Sequence, residues 1–117
     1  MQSRSGHGCV LVVEDPLIQR FVSGVLRRAG HQVVEAKAEE SLRILRTSDQ
    51  AIVLLITNQP LRFLEFAETL PLIYIAALPE PTLVFRFSRC RMLRKPFPPS
   101  HLVECVAELA PLSPAVV

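Results

Sequence analysis

No run in this 117-residue sequence approaches the roughly 18 apolar residues that a membrane-spanning helix needs. The opening stretch, Met1 to Cys9, is polar and lacks the apolar core of a signal peptide, so export is not expected. Glycine is scarce, at 4 residues, and none sits in a Gly-rich phosphate loop. The 3 cysteines, Cys9, Cys90 and Cys105, are odd in number and widely spaced, which is neither a disulfide framework nor a zinc pattern. They read as free thiols in a reducing cytosol. Charged residues make up only 21% and hydrophobic residues 50%, a balance that excludes a disordered chain. The net charge of +2 is too small to mark a nucleic-acid binder. The 3 histidines, His7, His31 and His101, fall in the N-terminal tail, a turn and the start of the last helix, so none neighbours a nucleophile at a strand end.

What is present centres on Gln50 to Pro60. This is a short apolar, β-branched run that stops at Thr57-Asn58-Gln59-Pro60. A central parallel strand has no solvent side, so it reads as a continuous apolar run. Open α/β sheets place their chemistry beyond the carboxyl ends of such strands. Here that end carries Ile56, Thr57 and Asn58, with no carboxylate.

The rest of the chain alternates around it. Cys9–Val13 predicts a buried strand ending at Glu14-Asp15-Pro16, where Asp15 can cap a helix and Pro16 suits its first turn. Leu17, Ile18, Phe21, Val22, Val25, Leu26 and Ala29 recur at helical spacing, Arg27 and Arg28 suit the last turn, and Gly30 is a stop. A strand is expected at His31–Ala36 and a helix at Glu39–Arg46. After the central strand, Leu61–Leu70 reads as a short helix with Leu61, Leu64 and Phe63 inward. Leu72–Ala76 and Cys90–Arg94 read as strands, separated by Pro79-Glu80-Pro81 and at most two helical turns over Thr82–Phe87. Lys95 to Pro99 is a rigid loop, and a last helix runs to Ala110 with Leu102, Val103, Val106 and Leu109 inward.

Strands alternating with helices force a parallel sheet covered on both faces. At this length the expected fold class is α/β: one flavodoxin-like, three-layer, doubly wound domain over residues 9–110, with five parallel strands ordered 2-1-3-4-5. A polar tail at 1–8 and a C-terminal tail at 111–117 flank it.

Four segments carry a family resemblance in the correct order. Val10–Val22 resembles the opening of a response-regulator receiver domain, Ala29–Ala36 its second strand, Ile52–Pro60 its third, and Leu93–Phe97 its lysine-proline loop. The resemblance implies a defined constellation. Paired acids after the first strand hold Mg²⁺, and an aspartate ending the third strand accepts a phosphoryl group from a histidine kinase. A Ser or Thr ending the fourth strand and a Lys ending the fifth bind the phosphate, and an aromatic on the fifth strand rotates in the switch.

Carried over residue by residue, the resemblance is partial. Glu14 and Asp15 match the acidic pair, although helix capping accounts for them equally well, and Pro16 arrives one residue early. Lys95 matches the lysine, whose bond to the following proline is commonly cis in the family. Ile56 stands at the phosphoacceptor position, Ala76 at the Ser/Thr position and Met92 at the aromatic position. Asn58 matches a residue that offers its backbone carbonyl to the metal, so Glu14, Asp15 and Asn58 are the remaining metal set, weakened or lost. Thr57 points to the opposite strand face from Ile56 and is a poor substitute acceptor. The stretch from Ala76 to Met92 is shorter than in the family, which predicts a stunted helix and a reduced dimerisation face.

The expectation is a degenerate, non-enzymatic and cytoplasmic receiver domain of two-component signalling. It would need no cofactor, with Mg²⁺ binding weakened. It would act by contact with a histidine kinase, another regulator or an output domain; a homodimer is an alternative. Neither membrane nor nucleic acid is expected as a partner. Arg86, Arg89, Arg91, Arg94 and Lys95 read first as a solvated basic rim and second as a docking surface for an acidic partner. The competing readings are a receiver phosphorylated at Glu14 or Asp15, and a small flavodoxin-like enzyme or ligand-binding domain.

Overall fold

The computed structural model describes residues 8–47 and 50–111. The expected tails lie outside that range except for Gly8 and Pro111. Five strands, β1 (Cys9–Val13), β2 (Gln32–Glu35), β3 (Ile52–Thr57), β4 (Leu72–Ala76) and β5 (Cys90–Arg94), form one sheet in the order β2-β1-β3-β4-β5. Every adjacent pair is parallel. The central strands β1 and β3 pair Val12 with Ile56 and Val13 with Thr57, so their carboxyl ends finish level.

Strand alternation splits the core into two layers. On one face Val10, Val12, Leu54, Ile56, Ile73, Ile75 and Leu93 pack against α1 (Pro16–Arg28) and α3 (Pro99–Leu109). On the other, Leu11, Val13, Leu55, Leu72 and Tyr74 meet α2 (Ala38–Thr47), Phe63 and the 84–87 segment. No helix among the described residues is long and apolar enough to cross a membrane.

Helix α1 is delimited as its sequence implies. Asp15 is the N-cap, its Oδ1 accepting from the Ile18 amide at 3.2 Å, and Pro16 occupies the first turn. At the other end Gly30 takes φ 99°, a conformation that costs glycine little. The amide of His31 then donates to the Leu26 carbonyl and that of Gly30 to Arg27, the paired bonds of a Schellman ending. Leu17 and Phe21 depart from the inward reading and are exposed. The stripe facing the sheet is Ile18, Val22, Val25 and Leu26, and Leu17 and Phe21 lie to its side, where the Phe21 ring meets Phe97 with centroids 6.0 Å apart.

The short helix expected over Leu61–Leu70 with Leu61 inward needs correcting in extent, type and facing. The segment is a 3-10 helix, Pro60–Phe66, broken at Phe63 by φ −120° and ψ 22°. Pro60 and Phe63, one 3-10 turn apart, point inward, as does Ala67 beyond the break, whereas Leu61 is 55% exposed. Phe63 is the buried anchor and Leu64 is partly buried.

Candidate functional site

The carboxyl ends of β1, β3, β4 and β5 bring together the candidate residues. β1 delivers Glu14, whose side chain is wholly enclosed. Its Oε1 accepts from the Asp15 amide at 3.1 Å and lies 3.5 Å from Lys95 Nζ. Its Oε2 is buried without a hydrogen-bond partner among the described residues. Burial raises the Glu14 carboxyl above its ordinary range, and the Lys95 ammonium opposes that rise. Asp15 is exposed and turned toward the start of α1.

Ile56 is fully buried in the layer between the sheet and α1/α3, among Val12, Ile73 and Leu93. Thr57 is buried on the far side of the strand, and its Oγ1 accepts from the Gln59 amide at 3.0 Å. That bond makes it the tie that closes the turn into Pro60. Asn58 follows, and its Oδ1 is buried without a hydrogen-bond partner among the described residues. The two orphaned oxygens, Glu14 Oε2 and Asn58 Oδ1, both sit where β1 and β3 end.

Ala76 ends β4, and its carbonyl accepts from the Lys95 amide at 2.9 Å, fastening the β5 loop to the sheet. The Lys95–Pro96 bond is cis, as the resemblance implies. Met92 lies mid-strand on β5 with its side chain 43% exposed. It pairs in register with Tyr74, one residue pair below the Ile75–Leu93 pair and two below Ala76–Arg94.

Two features at this end were not read from the sequence. Gln19 Nε2 donates to the Val12 carbonyl at 2.9 Å and to the Ala36 carbonyl at 3.4 Å, fastening α1 to the ends of β1 and β2. The Glu80 amide donates to the Tyr74 hydroxyl at 3.4 Å. A glutamine on the inner flank of an amphipathic helix was the only signal for the first, and nothing local marked the second.

No family model matches the sequence, and no curated protein matches it. Solved structures do. The receiver domain of the hybrid histidine kinase CckA is 25% identical, with a TM-score of 0.71 over 88% of this chain and 99% of that one. The chemotaxis protein CheY4 of Vibrio cholerae is 20% identical, with a TM-score of 0.71 over 88% and 98%. The signal receiver domain of an HD domain-containing protein from Pseudomonas fluorescens Pf-5 is 15% identical, with a TM-score of 0.76 over 94% and 91%. The matched regions span nearly the whole of each of these chains, so the likeness is to a complete receiver fold, and it is this fold that the chain shares.

Proposed function

We propose that the chain is a degenerate receiver domain in two-component signalling. It acts by contact with another signalling protein in the cytoplasm, a histidine kinase, regulator or output domain, without catalysis and without phosphorylation at the usual position. The observation that carries this reading is Ile56, an aliphatic side chain sealed in the core at the end of β3, where the receiver resemblance places the aspartate that accepts the phosphoryl group. Ala76 at the end of β4 has no hydroxyl to hold a phosphoryl oxygen. Lys95, the cation that the family resemblance assigns to the phosphate, is already turned to Glu14.

The donor set fits Mg²⁺ poorly. That ion demands near-octahedral oxygen ligation and usually takes carboxylates. Asp15 has one oxygen on the Ile18 amide, and Glu14 has one beside an ammonium. No group of three His, Cys, Asp or Glu among the described residues could hold a metal. The family resemblance would use the Asn58 backbone carbonyl beside the carboxylates, and of these only Glu14 Oε2 is both buried and without a hydrogen-bond partner among the described residues.

The test is an amide NMR titration with Mg²⁺ and then with beryllofluoride, a mimic of a phosphorylated carboxylate. The expected result is no specific shift around Glu14, Asp15, Asn58 and Lys95. A beryllofluoride-specific shift there would mean that a non-standard acid takes the phosphoryl group, and it would overturn the reading. A companion variant, Ile56→Asp, should stay unphosphorylated by acetyl phosphate while Ala76 and the short β4–β5 connection remain; robust phosphorylation would count against it.

A further inference from the structure

The amino-terminal ends of the strands lie opposite the site described above, and there the molecule is hollow. A cavity of about 440 Å³ lies between the starts of β1 and β3, the α1–β2 turn, the residues before β4 and the end of α3. That volume falls within the roughly 300–1,000 Å³ of small-molecule sites, which combine apolar walls with a few placed polar groups. Val10, Ile52 and Leu70 supply apolar lining, and Val10 and Leu70 are buried. His31, Gln32, Thr69 and Arg89 supply the polar side chains. No Asp or Glu among the described residues contributes to the lining.

Two helices end at this rim, and helix C-termini present unpaired carbonyls and partial negative charge. Here those carbonyls are largely taken. At the end of α1 the Val25, Leu26 and Arg27 carbonyls accept from the Ala29, His31 and Gly30 amides. At the end of α3 the Val106 carbonyl accepts from the Ala110 amide at 2.7 Å, and the Leu109 carbonyl accepts from Arg89 Nη2 at 2.8 Å. The Leu109 bond anchors the Arg89 guanidinium at the cavity and leaves it further N–H donors. Arg89 has no carboxylate partner among the described residues. Burial holds the His31 imidazole below its ordinary range, so at neutral pH it is an uncharged hydrogen-bonding group. The charge of the cavity is therefore that of Arg89, and it suits an anion. A bare inorganic anion would leave the apolar walls unmatched, so the fitting ligand also carries a hydrocarbon body.

We propose that this cavity binds a small organic carboxylate, with Arg89 holding the carboxylate and Val10, Ile52 and Leu70 covering its apolar body. Guanidinium–carboxylate pairing is charge-assisted, and its fork geometry fixes orientation as well as affinity. The cavity lies at the far end of the strands from Glu14, Ile56 and Lys95, so its occupancy does not depend on whether that site takes Mg²⁺ or a phosphoryl group.

The probe is sodium hexanoate, titrated into the 117-residue chain and followed by amide NMR, with neutral hexanamide and inorganic phosphate in parallel. The expected result is saturable shifts confined to the cavity, at Gly30, His31, Leu70 and Arg89, with hexanamide about 10-fold weaker or more. Arg89→Gln should weaken hexanoate by about the same factor and bring it level with hexanamide, while shifts remote from the cavity report an intact fold. Arg86→Gln, at an exposed arginine outside the lining, should leave hexanoate affinity unchanged. No saturable shift, equal binding of hexanamide, or an equal loss in Arg86→Gln would overturn the proposal. Inorganic phosphate binding at the same amides as tightly as hexanoate would also overturn it, in favour of a bare anion site.

Discussion

At the residue scale, Glu14 is an enclosed carboxylate with one oxygen facing a lysine and the other without a hydrogen-bond partner among the described residues. Enclosing the Glu14 carboxylate against a Lys95 that is itself partly exposed costs more than a single 3.5 Å contact reliably returns. The upward displacement of the Glu14 carboxyl expresses that balance, because desolvation outweighs Lys95. A carboxyl that titrates higher folded than unfolded binds protons more readily in the folded state. Its contribution to stability is therefore greatest below its unfolded value near 4.5 and declines as pH rises through the raised folded value. Glu14→Gln keeps the shape and an acceptor for the Asp15 amide while removing the charge. The melting temperature of Glu14→Gln relative to the parent should rise between acid and neutral pH, with the smallest difference in acid. If the variant instead loses ground toward neutral pH, the pair with Lys95 is the dominant effect. Glu14 and Lys95 were each legible as strand-end residues from their neighbours. Their contact across 81 positions was not, because it depends on β1 and β5 finishing at the same end of the sheet.

At the element scale, Asp15 and Pro16 were legible because caps are local: a side chain, a nearby amide and a fixed φ decide them. The structure places Asp15 in the capping geometry that was one of its two readings. Asp15→Ala should destabilise the domain by about 1 kcal/mol, the typical cost of a lost N-cap. If Asp15 is only a cap, adding Mg²⁺ should leave the melting temperatures of the parent and the variant equally unchanged. A Mg²⁺-dependent rise in the parent that Asp15→Ala abolishes would reassign this residue as a ligand. The segment after β3 was misread for a related reason. Apolar residues at 61, 63 and 64 fit an α-helical face loosely, and composition alone does not distinguish a period of 3.6 from one of 3.0. Phe63 decides the matter by burial, and it leaves Leu61 in solvent.

At the scale of the molecule, the order β2-β1-β3-β4-β5 was legible because alternating apolar runs and amphipathic segments admit few sheet topologies. The same sheet predicts where the fold is strongest. β1 and β3 are flanked by strands on both sides and by apolar layers on both faces, with Leu11, Val12, Leu54, Leu55 and Ile56 all inaccessible to solvent. β5 is an edge strand, and the connection before it exposes Leu78 and Phe85 and anchors itself chiefly through Val84 and Phe87. Opening free energies follow local burial and backbone bonding, so this region should open without the rest. In native-state hydrogen exchange, amides of β1 and β3 should exchange only through global unfolding. Amides at Val84 and Phe87, whose hydrogen bonds are local turns to Pro81 and Val84, should exchange through a smaller opening with weaker denaturant dependence. Uniform protection across β1, β3 and residues 84–87 would mean that the edge of the sheet is as firmly held as its centre.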